Sequence, residues 1–175
     1  MDKKNISNSN TFSGSEATRA LQSGAGFTFK IVTPERVVFE SQVAQATLPT
    51  STGEITVLPN HIPLVSQVIA GEIRILDEAG KEQLLAVAGG FVQVHPGKIV
   101  ILADRSEMAH ELDEARAAEA HERAKKLLEA KTGMPDRDYA ALAALMDKEL
   151  ARLKVARKYR ERALRGEGIR SGHLE

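Results

Sequence analysis

Charged side chains recur at helical spacing in two separate parts of the chain. Asp113 and Arg116 are three residues apart and Arg123 follows seven residues later, so all three can share one face of a helix. Lys148 and Arg152, four residues apart, can share a face of a later helix. Taken alone, this spacing predicts ordinary ion pairs on helix surfaces, each worth about 0.3–0.5 kcal/mol.

Two further features could be taken for functional sites, but the surrounding sequence does not support either site. His61 is a single histidine between two prolines, without the neighbouring acid or cysteine that a metal site or a catalytic triad needs. Gly89-Gly90 is followed by no predicted helix, and the chain has no GxGxxG or Walker pattern, so a bulge or a tight corner is expected there. The residues therefore predict neither a catalytic centre nor a metal site.

Composition limits the class of protein. The 175 residues suffice for one domain, or for one domain with a smaller appendage, and 42% hydrophobic residues suit a packed core. The absence of cysteine excludes disulfides and thiolate sites and fits a reducing compartment. No apolar run reaches the ~18 residues that span a bilayer, and no secretory signal is recognised.

The positive charge is concentrated near the end of the chain. The formal net charge is zero, yet residues 151–175 hold eight basic and three acidic residues. A solvated helix end, stabilised by the helix dipole, is one interpretation. Nucleic-acid binding is another, although Tyr159 is the only aromatic residue there that could stack on a base.

The hydrophobic pattern changes its period once along the chain. From residue 27 to 104 apolar residues alternate in short runs between turn residues, which is typical of a sandwich. The expected strands cover 27–32, 36–40, 43–48, 54–58, 66–76, 82–88, 91–94 and 99–103. From about Ser106 the period becomes helical. The predicted fold class is α+β: an N-terminal β-sandwich of about ten short strands, then a C-terminal antiparallel two-helix hairpin.

These patterns predict four segments. They are a disordered leader over residues 1–26, for which a transit peptide is a weaker alternative, a β-sandwich docking domain over 27–105, a helical hairpin over 106–165 and a flexible tail over 166–175. Gly133-Met134-Pro135 is expected to separate the helices, with Asp136 or Asp138 capping the second. The expected contact faces are Ala117, Ala120, Ala124, Leu127 and Leu128 on the first helix, and Leu142, Leu145, Met146, Leu150 and Leu153 on the second. Alanine buries little area, so we infer that the hairpin separates more readily than the sandwich unfolds.

Six motifs, in unbroken order between about residues 27 and 160, resemble the bacterial-type epsilon subunit of the F-type ATP synthase. Their order, rather than any one of them, carries the resemblance. The family usually has glycine where this chain has Thr56 and Asn60. The motifs are Thr33-Pro34-Glu35, Gly53-Glu54-Ile55 leading to Pro59-Asn60-His61-Ile62-Pro63-Leu64, Gly71-Glu72-Ile73-Arg74-Ile75, Gly89-Gly90-Phe91, Leu102-Ala103-Asp104 and Leu112-Asp113-Glu114-Ala115-Arg116-Ala117.

The resemblance implies a non-catalytic rotor subunit that couples proton-driven rotation of the c-ring to ATP synthesis. Its sandwich would bind the gamma subunit and the c-ring, with Glu54 and His61 at the c-ring contact. Its hairpin would be a movable brake, which inhibits ATP hydrolysis when it extends to the alpha and beta subunits. Such a subunit would lie at the cytoplasmic face of the bacterial inner membrane, held there only through the complex. The implied inhibitory contacts are Arg152, Lys154, Arg157, Lys158 and Arg160.

The resemblance also implies a regulatory nucleotide. Some bacterial members bind ATP in the compact state, and no cofactor is otherwise required. Lys148 stands where those relatives have arginine, so the charge is kept but the bidentate fork for phosphate is lost. The helix-face ion pairs remain the alternative to this site, and a nucleic-acid-binding adaptor remains the alternative to the rotor subunit. The matching ATP-contact positions are Glu107, Asp113, Arg116, Ala117, Arg123 and Arg152.

Overall fold

Alternating apolar residues form the strands, and the helical period begins only after the last of them. The computed structural model describes residues 26–130 and 135–165. The nine strands are β1 (Phe27–Val32), β2 (Val37–Thr50), β3 (Gly53–Val57), β4 (Leu64–Val68), β5 (Gly71–Asp77), β6 (Glu82–Val87), β7 (Gly90–His95), β8 (Lys98–Ala103) and β9 (Ser106–Met108). A 3-10 turn (Ala109–Glu111) and the helices α1 (Glu114–Ala130) and α2 (Asp136–Leu164) follow.

The strands form one continuous sheet that folds into two layers. Its path runs β1-β8-β7-β4-β2-β5-β6-β9, with β3 also paired to β2 and β1 to β2. The first half of β2 pairs with β1, whereas its second half pairs with β3 and β5. This long strand therefore joins the two layers, and the pairing between β1 and β8 is parallel.

The core between the layers consists of large aliphatic side chains. Strands β1 and β7 bury every second residue, as expected for strands with one face in a core. Seventeen buried residues form one cluster, which includes Phe29, Ile31, Leu48, Ile73 and Ile101, each fully buried. The predicted α+β class, with a sandwich followed by two helices, is confirmed.

Three strand boundaries differ from the sequence prediction. The expected strands 36–40 and 43–48 are one strand, because Ser41 and Gln42 continue the pairing with β1 and Gln42 donates to the Thr28 hydroxyl at 2.9 Å. The expected strand 66–76 is instead two strands: β4, which pairs along its length with β7 and at one residue with β2, and β5, which pairs with β2 and β6. Residues 106–108 form β9 beside β6 rather than the start of a helix, and the buried Ser106 hydroxyl donates to the Ala86 carbonyl at 3.0 Å.

Glycine at position 90 is required by a close approach between β7 and β8. Gly90 has a φ of +138°, and an added Cβ would collide with the Leu102 carbonyl oxygen. Gly89 also has a positive φ, of +134°. The pair thus serves a tight backbone corner, as a glycine pair can without steric cost.

The two helices pack on each other and α2 also packs on the sheet. Acidic Glu114 at the start of α1 contacts Arg157 and Arg160 near the end of α2, which fixes an antiparallel arrangement. The half of α2 around Val155 covers β6, where Leu84 and Ala86 face the helix. Neither helix in residues 26–130 and 135–165 is apolar enough to cross a membrane.

Parts of the sequence prediction lie outside the described residues. They are the leader up to residue 25, the turn at residues 131–134 and the tail over 166–175. Helix α2 begins at Asp136 directly after Pro135, so Asp138 lies in its first turn and not at its cap. The helix ends at Leu164, where the sequence predicted.

Candidate functional site

Asp113 acts as the cap of α1. Its Oδ1 accepts hydrogen bonds from the backbone N–H groups of Ala115 at 2.9 Å and of Arg116 at 3.2 Å. A side-chain oxygen in this position satisfies donors that the first helical turn leaves without partners. The Arg116 side chain itself is exposed. Of the described carboxylates, none lies within ion-pair distance of that guanidinium.

Arg152 is the most closely held of the expected nucleotide contacts. Its guanidinium donates to Glu107 and to Glu149, both at 2.9 Å, and the Arg152 side chain is 27% exposed. Burial alone would lower the pKa of Arg152, but the hydrogen bonds to Glu107 and Glu149 outweigh it and raise that pKa. The buried Nε of Arg152 has no hydrogen-bond partner among the described residues.

The remaining expected nucleotide contacts are dispersed over the helices. Ala117 is 1% exposed, since it packs in the seam between the helices. Arg123 lies 3.6 Å from Glu119, one turn earlier on the same helix, and both side chains are largely exposed. Half-buried Lys148 has no carboxylate within ion-pair distance in the described parts of the chain. The structure therefore joins Glu107 to Arg152, and leaves the other side chains in contacts within their own helix or in the seam.

The basic end of α2 lies against acidic residues of other elements. Four of the five predicted inhibitory contacts form ion pairs, as does Arg162, whereas Lys154 is exposed and has no carboxylate within ion-pair distance among the residues described. The pairs to other elements are Arg152–Glu107 at 2.9 Å, Arg157–Glu114 at 3.3 Å, Lys158–Glu72 at 2.6 Å, Arg160–Glu114 at 3.0 Å and Arg162–Glu82 at 2.7 Å.

Sequence reasoning missed these acidic partners. Glu72, Glu82 and Glu114 were not expected as functional residues, because nothing in their local pattern points to a helix many residues away. One signal was present in β6: Leu84, Leu85, Ala86 and Val87 form a continuous apolar run and all are buried. A strand buried on both faces has something packed on each of them. Here the second cover is α2.

Glu54 lies in β3, and His61 lies in the loop that follows this strand. Exposed Glu54 forms an ion pair with Arg74 of β5. The His61 ring N–H donates to the Ile62 carbonyl, with 2.7 Å between Nδ1 and oxygen. Ile62 is 74% exposed. The two predicted contact residues are thus on the surface, one in β3 and one in a loop that also presents an apolar side chain.

Nothing in residues 26–130 and 135–165 covers the outer face of the layer opposite α2, and this face is partly apolar. Phe91 pairs with Leu102 across β7 and β8, and Val65 stands on the same face of neighbouring β4. These three side chains are 59%, 60% and 68% exposed. Contiguous exposed apolar groups of this kind mark interaction sites in soluble proteins.

One cleft of about 650 Å³ opens between the β5–β6 turn and the end of α2. Lys81, His110, Tyr159 and Arg162 contribute to its walls. None of the six expected nucleotide contacts lines it. In the described residues, no three acidic, histidine or cysteine side chains are placed to hold a metal ion.

Comparison with known proteins assigns the family. The sequence model of the "ATP synthase, Delta/Epsilon chain, beta-sandwich domain" matches residues 26–109. The ATP synthase epsilon chain of Dichelobacter nodosus is 34% identical over 139 residues, which cover 77% of this chain and 97% of that one. The epsilon chain of Dehalococcoides mccartyi is 41% identical over 132 residues, covering 75% and 92%. This chain belongs to the ATP synthase epsilon chain family.

Solved structures show the same fold in distant ATP synthases. A chain of the Euglena gracilis mitochondrial ATP synthase, in a structure of OSCP, F1 and the c-ring, has a TM-score of 0.57 and 23% identity. The match covers 94% of this chain and 89% of that one. A chain from the central stalk and c-ring of the Tetrahymena thermophila enzyme has a TM-score of 0.51 and 13% identity, with 74% and 96% covered.

One departure from the usual epsilon chain motif has a structural explanation. Asn60 has a φ of +64°, the left-handed region, in the loop before His61. This is where the family usually has glycine, and asparagine is among the few other residues that tolerate this conformation. The loop geometry can therefore persist without the glycine.

Proposed function

We propose that this epsilon chain is a non-catalytic rotor subunit of an F-type ATP synthase. The sandwich couples c-ring rotation, driven by protons, to ATP synthesis, and the helical hairpin regulates ATP hydrolysis. The chain lies at the cytoplasmic face of the bacterial cell membrane and reaches the membrane only through the complex. The observation that carries this proposal is the division of the sandwich into one face covered by α2 and one bare apolar face.

The bare face supports docking to the gamma subunit. Val65, Phe91 and Leu102 present three large apolar side chains on rigid paired strands. Apolar and aromatic anchors at the centre of an interface contribute most of its binding free energy. Exposed Glu54 in β3, and the following loop with His61 and exposed Ile62, support a second contact, with the c-ring.

Substitution on the bare face tests this docking. Phe91→Asp places a charge on an exposed strand position, so the sandwich stays folded while the interface loses an anchor. We expect binding to the gamma subunit to weaken about thirtyfold, from a loss of about 2 kcal/mol. Ala79→Asp, in the distant β5–β6 turn, adds the same charge and is the matched control. Equal binding by both variants would place the gamma contact elsewhere.

The brake is supported by the size and charge of the attachment of α2. Four buried residues form the apolar contact with the sheet, and cations near the helix end make the remaining contacts. An extended α2 would present those cations to acidic surfaces of the alpha and beta subunits. Truncation after Leu112 keeps β9 and the 3-10 turn, and we expect it to raise ATP hydrolysis by the assembled enzyme. Unchanged hydrolysis, with the truncated chain still assembled, would rule out the brake.

A regulatory ATP would bind near Arg152 and the start of α1. The neighbouring Lys148, half-buried and without a described carboxylate partner, supports an anionic ligand there, but Arg152 must exchange Glu107 or Glu149 for phosphate. ATP titration of the complete chain is expected to shift the NMR signals of Asp113, Arg116 and Arg152. Lys148→Arg restores a bidentate fork and should tighten ATP binding, unlike Lys154→Arg. No shift at millimolar ATP would reduce these residues to structural roles.

Co-purification separates the rotor subunit from the nucleic-acid alternative. The paired state of the basic residues favours the rotor subunit, because few of their charges are free for a phosphate backbone. We expect the tagged chain to be recovered with alpha, beta and gamma subunits. Recovery with RNA, and without those subunits, would overturn the proposal.

A further inference from the structure

The cations near the end of α2 are held by carboxylates from four other elements of the fold. Arg152 also pairs with Glu149 of α2 itself, and every other partner belongs to a strand of the sheet or to the first turn of α1. These carboxylates are Glu72 on β5, Glu82 on β6, Glu107 on β9 and Glu114 on α1. They form a strip along the surface that α2 covers, which we call the acidic strip.

The pairs to the sheet are closer and less exposed than ordinary helix-surface pairs. Lys158 and Glu72 are 34% and 20% exposed, and their charged atoms are 2.6 Å apart. The pair of Arg123 and Glu119 on α1 is 69% and 71% exposed and 3.6 Å apart. Since partial burial reduces screening by water and salt, the pairs of α2 to the sheet contribute more to its position than surface pairs do.

We propose that, in the packed state, the acidic strip binds the cations of α2 in place of an acidic surface of the alpha and beta subunits. This inference rests on the proposed brake and adds its control: the cations that would bind an external acidic surface are the same ones that hold α2 on the sheet and on the start of α1. A cation cannot make both close contacts at once, so release of α2 and capture by the partner are one exchange of carboxylates. Glu72, Glu82 and Glu114 are thus regulatory residues of this epsilon chain.

Lys154 remains available in the packed state, unlike its neighbours Arg152, Arg157 and Lys158. Lys154 is exposed and has no carboxylate within ion-pair distance among residues 26–130 and 135–165. It lies between Arg152 and Lys158, in the middle of the cations that the strip holds. Lys154 is therefore placed to make the first contact with an acidic partner before α2 is released.

Thiol labelling measures release of α2 directly. The chain contains no cysteine, and Ala151 is 6% exposed, so a cysteine at Ala151→Cys reacts only when the helix opens. In this background the strip variant carries Glu72→Gln, Glu82→Gln and Glu114→Gln. The control variant carries Glu35→Gln, Glu78→Gln and Glu161→Gln. It loses the same charge, but from exposed acids that form none of the described ion pairs. The labelling rate should rise on the order of tenfold in the strip variant and less than twofold in the control. Equal rates in the two variants would overturn the proposal.

A charge exchange tests whether the pairing itself matters. Glu72→Lys should accelerate labelling by opposing Lys158, and the added Lys158→Glu should restore the rate to within about threefold of the starting chain. Glu72 also lies 3.7 Å from Arg74, which makes the restoration incomplete. We call the ion pairs that hold α2 on the acidic strip the latch. Failure of the second substitution to slow labelling would contradict a latch made of specific pairs.

The assembled enzyme separates this inference from the brake. If the strip variant labels faster and ATP hydrolysis falls, both the latch and the brake hold. If it labels faster while hydrolysis is unchanged, the latch holds and the brake is wrong. If labelling matches the control, the latch is wrong, whatever the hydrolysis rate.

Discussion

The two packed regions of this epsilon chain are built from different side chains. The sandwich core joins seventeen buried residues, with phenylalanine, isoleucine, leucine and valine at its centre. The cluster that joins α2 to β6 and the 3-10 turn has four, two of them alanines, and four of the six buried apolar residues of the described helices are alanines as well: Ala117, Ala124, Ala151 and Ala156. Since apolar stabilisation follows buried area, we expect the second region to separate more readily than the first unfolds. Because α2 buries little apolar area, its ion pairs contribute a larger share of its attachment.

The largest expected effect is in the sandwich core. Ile101 is fully buried, so Ile101→Ala removes apolar area and leaves a cavity, which costs about 2–5 kcal/mol of unfolding free energy. Urea unfolding of the complete chain measures this loss. Leu102→Ala, at the next residue but 60% exposed, is the control and should cost less than about 0.5 kcal/mol. Similar losses at both positions would contradict the assigned core.

A smaller effect is expected where α2 meets the sheet. Val155 is fully buried against Leu84 and Ala86, and Val155→Ala removes about 1.5 kcal/mol of apolar burial. The released fraction of α2 should rise about tenfold, and tryptic cleavage between residues 152 and 162 should accelerate equally. Leu145→Ala, 44% exposed on the same helix, should have little effect. If Val155→Ala instead lowers the urea midpoint of the strands, the two regions are one unit.

Loss of the N-cap of α1 should lower the stability of this helix by about 1 kcal/mol. Asp113→Ala removes the acceptor for the Ala115 and Arg116 N–H groups, and the first turn of α1 should fray. Asp113→Asn keeps an acceptor and is the control. Amide exchange at residues 115 and 116 measures the difference, and equal protection in both variants would show that the cap is not needed.

The smallest expected effect is a pH dependence at Glu114. The hydrogen bond from Arg160, and then the contact with Arg157, lower the pKa of Glu114 below its ordinary value of 4.5. Because the folded value is the lower one, the contribution of Glu114 is present above pH 4.5 and is lost as the pH falls through the folded pKa. Carboxyl NMR should show this pKa rising in Arg160→Gln. A pKa that does not move would mean that Arg160 and Glu114 do not pair in solution.

The sequence predicted the two regions better than their contact. Alternation and turn residues locate most strands, and the helical period locates both helices, because these signals are local. Ser106–Met108 were misassigned, since a three-residue edge strand is too short to show a period. The pair of Lys158 and Glu72 joins residues 86 apart in the chain, which no spacing rule covers. Leu127 and Leu145 lie on the predicted stripes, yet they are about half exposed because the helices meet mainly through smaller neighbours.

Native-state hydrogen exchange of the complete chain tests the central claim most directly. In increasing but sub-denaturing urea, amides of α2 around Val155 should exchange through an opening that leaves β1 and β8 protected. The opening free energy of α2 should be several kcal/mol lower than that of the strands, and its urea dependence smaller, because less surface is exposed. Exchange of α2 and the strands with one common free energy and one common urea dependence would contradict a fixed sandwich with a separable hairpin.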